Sequence, residues 1–257
     1  MKSTLAFTKK EFTAHIRSGK VFIFGGIFIL LGIMNPAFAK LTPWLLDVMS
    51  EALAESGMNI AVPEATALDS WLQFYKNIST ALIVFVIVEG NLFTREYRSG
   101  TLVLSLTKGL ERYKVIIAKT IVMTTIWTVG YLLCFGITYG INCLFAWDNS
   151  IAKNLIFSMI CWWIFGMMFI AMIVLFSSFT SSSALVMAGS GGILVVSTII
   201  SIIPKADKFL PTTLSDGTSL IYGMKDAEDY VYAVIITVAI TVAAFVASIP
   251  LFNKKQL

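Results

Sequence analysis

Long uncharged apolar runs alternate along this chain with short segments that carry most of its charge. Five runs read directly: Val21 to Ala39, about 115 to 145, Leu155 to Phe176, Ala184 to Ile203, and Tyr230 to Phe252. Each approaches or exceeds the roughly 20 residues that cross a hydrocarbon core about 30 Å thick. Backbone groups in lipid must find partners within their own segment, so each run predicts a helix. A sixth run, Trp71 to Phe93, is less uniform, with Lys76 and Asn77 in its first turns and Glu89 after the apolar stretch Ile78 to Val88. At a rise of about 1.5 Å per residue it covers about 34 Å, long enough for its polar ends to reach both interfaces. The pattern predicts an all-α integral membrane protein: one domain over residues 1–257, with spans at about 21–39, 71–93, 115–145, 155–176, 184–203 and 230–252.

The connecting segments have patterns of their own. In residues 1–20, Leu5, Thr8, Phe12 and Ile16 recur at helical spacing opposite Lys9, Thr13 and Arg17, predicting an amphipathic interfacial helix. His15, without a partner histidine, reads there as an interfacial polar residue and not as a ligand. Ala37, Phe38 and Ala39 after an apolar run resemble a signal-peptide cleavage site, yet the patterned segment before that run is long for a leader, and an uncleaved span is expected. After the first span, Leu45, Leu46, Val48, Met49 and Leu53 suggest a short amphipathic helix, and Gly57 and Pro63 a turn.

Residues 95–119 read REYRSGTLVLSLTKGLERYKVIIAK. Ser99 and Gly100 stop the preceding helix and a short helix starts at Thr101, with Leu102, Val103 and Leu106 as its apolar face and Lys108 and Gly109 as its end. Exposed leucines beside Glu96, Arg98 and Arg112 suit docking into a groove on a partner; the plainer reading is a helix resting on headgroups. Residues 177–183, SSFTSSS, form a tight polar turn, and Ala188 to Gly192 are small residues in hydrocarbon, where Gly189, Gly191 and Gly192 allow close helix packing, a dimer seam or a pore-lining gating hinge. The stretch from Pro204 to Asp229, with Phe209, Leu210, Leu214, Leu220, Ile221 and Tyr222, is too apolar for an exposed loop and is expected to turn back into the outer leaflet as short re-entrant helices.

Composition narrows the function. The chain is 57% hydrophobic and 13% charged, against about 25% charged in soluble domains. With the N-terminus inside, 13 of the 19 basic residues fall on the cytoplasmic side and most acids on the other, so the net charge of +4 needs no nucleic-acid partner. Six spans return the C-terminus to the same side. Cys134, Cys143 and Cys161 lack CxxC spacing and read as packing residues. No GxxxxGK[ST] cradle and no HExxH occurs, and there is a single histidine, so neither catalysis nor a bound cofactor or metal is expected in this chain. Glu89, the carboxylate inside a span, is expected to snorkel to the inner interface or pair with Arg95 or Arg98, the alternative being a transport or gating role.

Glu96, Gly100, Thr101 and Leu102 fit an E…GT-L run, and Arg112 with Lys119 an R…K run leading into the third span. With the interfacial helix, six spans and the Pro211 region before the last span, the chain resembles the permease subunit of a type-2 ATP-binding-cassette (ABC-2) transporter. It departs from the pattern at Lys108 and Gly109, where a proline is common, and in a second loop without basic residues. The resemblance implies half of a translocation pathway in the bacterial cytoplasmic membrane, both termini inside, paired with a second permease copy or a sister permease. Two separate ATPase subunits, holding ATP and Mg, would dock on Glu96, Arg98, Gly100, Thr101, Leu102, Val103, Leu106 and Arg112, and the cargo would be an amphipathic peptide, lantibiotic or drug moving outward. The alternatives are an ATP-independent peptide-binding or immunity protein and a secondary transporter.

Overall fold

The computed structural model describes residues 2–54, 64–107, 109–201, 203 and 207–255. Its helices are α1 (Lys2–Arg17), α2 (Lys20–Ala54), α3 (Ala67–Glu89), α4 (Leu92–Arg98), α5 (Thr101–Thr107), α6 (Arg112–Leu144), α7 (Leu155–Phe179), α8 (Ser183–Ile200), α9 (Gly217–Ile221) and α10 (Val231–Lys254), with no strand among the described residues. Among the described residues, six segments are long and apolar enough to cross a membrane: Lys20–Met49, Ala67–Tyr97, Arg112–Leu144, Leu155–Phe179, Ser183–Ile200 and Ala227–Lys254. One end of the bundle, here the near end, gathers α1, the end of α3, α4, α5, the start of α6 and the ends of α7 and α10. The far end holds the opposite termini of these helices and residues 207–230.

Two boundaries differ from the sequence pattern. Residues 40–54 do not form a separate amphipathic helix: α2 runs unbroken to Ala54 through Pro36 and Pro43. A membrane helix tolerates such prolines where neighbours and small adjustments satisfy the freed carbonyls. The turn expected at Gly57 and Pro63 lies outside the described residues. Helix α3 starts ahead of Trp71, because the Thr66 N–H and Oγ1 both donate to Asp69 Oδ2, at 2.9 and 2.8 Å, and fix its first turn.

The core is aromatic. Trp127 on α6 stacks on Tyr131 and meets Phe28 of α2 and Phe85 of α3 edge-on. Two glycines make room for these rings: a Cβ on Gly130 would lie 2.2 Å from the Phe28 ring, and one on Gly166 of α7 would lie 2.2 Å from the Trp127 ring. The small-residue run on α8 is divided. Gly189 is pressed against Phe176, 2.5 Å from a notional Cβ, whereas among the described residues nothing lies within 4 Å of a Cβ at Gly191 or Gly192. Much of the apolar surface of α8 and α10 faces outward, including Val195, Ile199, Ile235 and Val246.

Polar side chains also tie the spans. Asn77 on α3 donates to Asn35 Oδ1 on α2 at 2.8 Å, Asn35 donates to Thr138 Oγ1 on α6 at 3.1 Å, and Thr138 donates back to Gly32 O. At the far end Asn149 Oδ1 accepts from Trp71 Nε1 and Asn142 Nδ2. There, too, Leu214, Leu220, Ile221 and Tyr230 are buried against the helices, while Phe209 and Tyr222 are exposed. The excess apolarity of this stretch is therefore mostly packing, with Tyr230 OH donating to Asp216 O at 2.8 Å.

Candidate functional site at the near end

Helix α1 builds one wall of the site. Its apolar stripe is not its inward face: Leu5 and Ile16 are exposed, and Phe7, Glu11 and His15, four residues apart, turn into the bundle. Glu11 Oε2 accepts from Lys119 Nζ of α6 at 2.7 Å, and its other oxygen accepts from Lys10 at 3.3 Å. Lys119 is 0% exposed and also lies 3.0 Å from Glu96 Oε2 on α4, an ion pair by distance at an angle unsuited to a hydrogen bond. The Phe93 ring centroid is 5.3 Å from the same ammonium. Burial pushes the Glu11 carboxyl up, but the Lys119 charge and hydrogen bond, with help from Lys10, outweigh it and hold the carboxyl below its ordinary value.

A second group of charges lies beside the first. Glu89, at the end of α3 and 0% exposed, accepts from Lys20 Nζ at 3.3 Å and lies 3.2 Å from His15 Nε2. It does not snorkel: it is buried and paired with His15 and Lys20, and not with Arg95. The reason is geometric: α3 breaks at Gly90 and Asn91, so Arg95 leaves on α4 with its side chain exposed. A polar cleft of about 280 Å³ opens over this cluster, with Glu11, His15, Lys20, Arg95 and Glu96 in its lining.

Helices α4 and α5 form the loop between the second and third spans. Gly100 and Gly109 both adopt the left-handed backbone, at φ of +67° and +86°, and bracket the seven-residue α5. The stop at Ser99–Gly100 and the start at Thr101 fall where the residues suggested, and Ser99 Oγ and Thr101 Oγ1 are 2.9 Å apart. The apolar face does not stay open as expected. Leu102 is 1% exposed within this chain's own core and Leu106 is partly covered, which leaves Val103, 40% exposed, facing out. Two turns of helix can bury one side, and α5 buries it against its own bundle. The side chain of Arg98 and all of Lys108 lie outside the described residues.

Arg112 takes a different place from the docking rim. Its Nη1 donates to the carbonyls of Phe252, Asn253 and Lys255 at 3.1, 3.1 and 2.6 Å, capping the C-terminus of α10, where unpartnered carbonyls concentrate negative potential. Lys255 in turn donates to Ser177 O and Thr180 O at the end of α7 and lies 3.6 Å over the Tyr97 ring. Tyr97 OH donates to Ser177 O at 2.9 Å. The polar turn after α7 is thus tied to α4 and α10.

The structure unites Glu96, Glu89 and Lys119, and adds Glu11, His15 and Lys20, which sequence reasoning missed as site residues. A signal existed in the spacing of Phe7, Glu11 and His15, but the competing stripe of Leu5, Phe12 and Ile16 masked it. Apart from this cluster, an apolar cavity of about 290 Å³ lies between α3, α7 and α8, lined by Ile83, Val86, Trp162, Phe169, Met187 and Gly191 among others. The family model described as ABC-2 family transporter protein matches residues 5–209. Comparison with curated proteins gives no match.

Proposed function

The chain belongs to the ABC-2 transporter family, and on that premise we propose that this membrane permease is one half of an exporter whose power comes from separate ATPase subunits docked on α4 and α5. The near end then faces the cytoplasm, in line with the lysine and arginine bias of its segments. The observation that carries the reading is α5: a short helix held between two left-handed glycines, buried on its Leu102 side, open at Val103, and joined to α1 and α6 through Glu96 and Lys119. A partner pressing on such a helix moves a braced element and not a loose loop.

Two ATPase copies and a second permease, identical or related, complete the assembly, and the outward apolar faces of α8 and α10 suit such a neighbour or lipid. The apolar cavity between α3, α7 and α8 suits cargo with apolar surface, so an amphipathic peptide, lantibiotic or drug remains the cargo of choice. Leu102 is a poor probe of docking, because a charge there would disrupt the chain's own core. Val103→Asp is the better one, with Lys153→Ala at the far end as control. Pull-down of the ATPase and ATP hydrolysis in proteoliposomes are expected to fail in the Val103 variant alone. Normal ATPase binding and transport by Val103→Asp would overturn docking at α5.

A further inference from the structure

His15 is the only histidine in the chain, and both its ring nitrogens face acceptors. Nδ1 lies 3.0 Å from the Glu11 carbonyl oxygen, which can only accept, so Nδ1 carries a proton. Nε2 lies 3.2 Å from Glu89 Oε2. Either Nε2 carries a second proton, or Glu89 is the protonated partner.

Charge balance decides between these. The acids gathered around the ring are Glu11 from its own helix, Glu89 from α3 and Glu96 from α4; the cations are Lys20 from α2 and Lys119 from α6. Arg95 of α4 also lines the cleft but is exposed, so water screens it. Glu11 is compensated by Lys119 and Lys10, and Glu96 is 20% exposed, whereas Glu89 is fully enclosed and depends on Lys20 and the ring; an isolated buried charge is far costlier than a paired one. A doubly protonated His15 gives Glu89 a charged donor on each oxygen, Lys20 at Oε1 and Nε2 at Oε2. Lys20, 3.3 Å from Glu89, also favours an ionised carboxylate there over a protonated one.

We infer that His15 is a positioning residue held as an imidazolium, and that it pins α1 to the end of α3 only while it keeps both protons. Loss of the Nε2 proton removes the donor that faces Glu89 and unbalances the cluster, which also contains the Glu11–Lys119–Glu96 link from α1 to the loop carrying α5. The consequence for coupling rests on the permease reading; the protonation rests on the geometry of the chain itself.

Nitrogen-15 histidine labelling of the full-length protein in lipid nanodiscs reports this ring alone. At neutral pH both ring nitrogens are expected to carry protons in the wild type. In Glu89→Gln, where an amide replaces the carboxylate that faces the ring, Nε2 should be bare. A bare Nε2 in the wild type would overturn the proposal, because it would place the proton on Glu89. In function, His15→Gln keeps a donor for Glu89 but no charge: partner-stimulated ATP hydrolysis should fall on the order of tenfold. The double variant His15→Gln/Glu89→Gln, which lacks both the ring and the carboxylate it compensates, should recover most of the activity. Wild-type activity in His15→Gln, or a double variant no better than the single, would refute the positioning role. If no ATPase subunit associates with any form, the permease reading fails, and the spectrum still decides the protonation.

Discussion

Replacing Lys119 by Met is the most direct challenge to the near-end cluster. The ammonium is fully enclosed and faces Glu11 Oε2 at 2.7 Å and Glu96 Oε2 at 3.0 Å. Met fills nearly the same unbranched volume, so the perturbation is electrostatic more than steric. Removing one member of a buried pair costs about 3–5 kcal/mol, since it leaves a charge without compensation. The low end applies here, because Glu96 is 20% exposed and can regain water, and Lys10 stays within 3.3 Å of Glu11. At about 2–4 °C per kcal/mol for a chain of this size, a loss of about 3 kcal/mol lowers the melting midpoint by about 6–12 °C. Helical circular dichroism against temperature, in one detergent at fixed protein concentration, measures it. Adding Glu11→Gln removes the stranded charge and should recover a large part of the loss. The effect also has a pH signature. The Glu11 carboxyl is depressed below 4.5, so its contribution is complete above that pH and disappears as pH falls through the lower folded value. The gap between wild type and Lys119→Met should then narrow only in acid below pH 4.5. A midpoint within about 2 °C of wild type, or a double variant no better than the single, would refute the reasoning.

Other consequences concern packing and topology. Gly166→Leu drives a side chain into Trp127, 2.2 Å from the notional Cβ, and should cut the yield of folded protein sharply by overpacking; Gly191→Leu should leave the fold of the single chain intact and narrow the apolar cavity it lines. Equal yields of the two variants, compared by size exclusion, would contradict the packing account. Tyr97→Phe removes the 2.9 Å bond to Ser177 O but keeps the ring under Lys255, and is expected to cost about 1 kcal/mol; a loss as large as that of Tyr97→Ala would show that the ring contributes nothing. In a cysteine-free background, a cysteine replacing the exposed Glu228 should react with an impermeant maleimide added to intact cells, and one replacing the exposed Ser99 should not. Labelling at position 99 would reverse the orientation proposed for the near end.

The spans were legible because hydrocarbon leaves the backbone few options, so a long uncharged run dictates a helix whatever its neighbours are. Loop residues that act through local backbone geometry were legible too: Gly100 and Gly109 are read as stops, and both adopt positive φ. What the pattern hid is tertiary. Leu102 reads as an exposed anchor from its helix alone, yet the bundle already covers it. Arg112 reads as a rim charge, yet α10 presents it with three open carbonyls from about 140 residues away in sequence. Gly189, Gly191 and Gly192 read as one close-packing face; within the chain Gly189 is crowded by Phe176, and further crowding falls at Gly130 and Gly166, whose aromatic partners come from other helices. Glu89 announces itself as a charge in an apolar run, but nothing local identifies His15 as its partner.

The placement of the charges has a mechanical consequence. Burying three acids with two lysines and a histidine is a weak way to gain stability, since desolvation offsets most of the attraction. Such a joint has a narrow range of good geometries, however, and it resists sliding in a way that aliphatic contact does not. Helix α4 lies between two polar joints. On one side Glu96 reaches Lys119 and through it Glu11 of α1. On the other, Tyr97 is tied to Ser177 at the end of α7 and lies under Lys255 beyond α10. Adjacent residues on one short helix thus face opposite halves of the near end, so a displacement of α4 relative to either half must strain or break a joint. Farther along the spans, α2, α3 and α6 are bound to one another by the Asn77–Asn35–Thr138 chain, which lets these three helices respond together. On the proposed docking, a load entering at Val103 would be delivered to the spans through α4, with Glu96 and Tyr97 setting how it is divided between them.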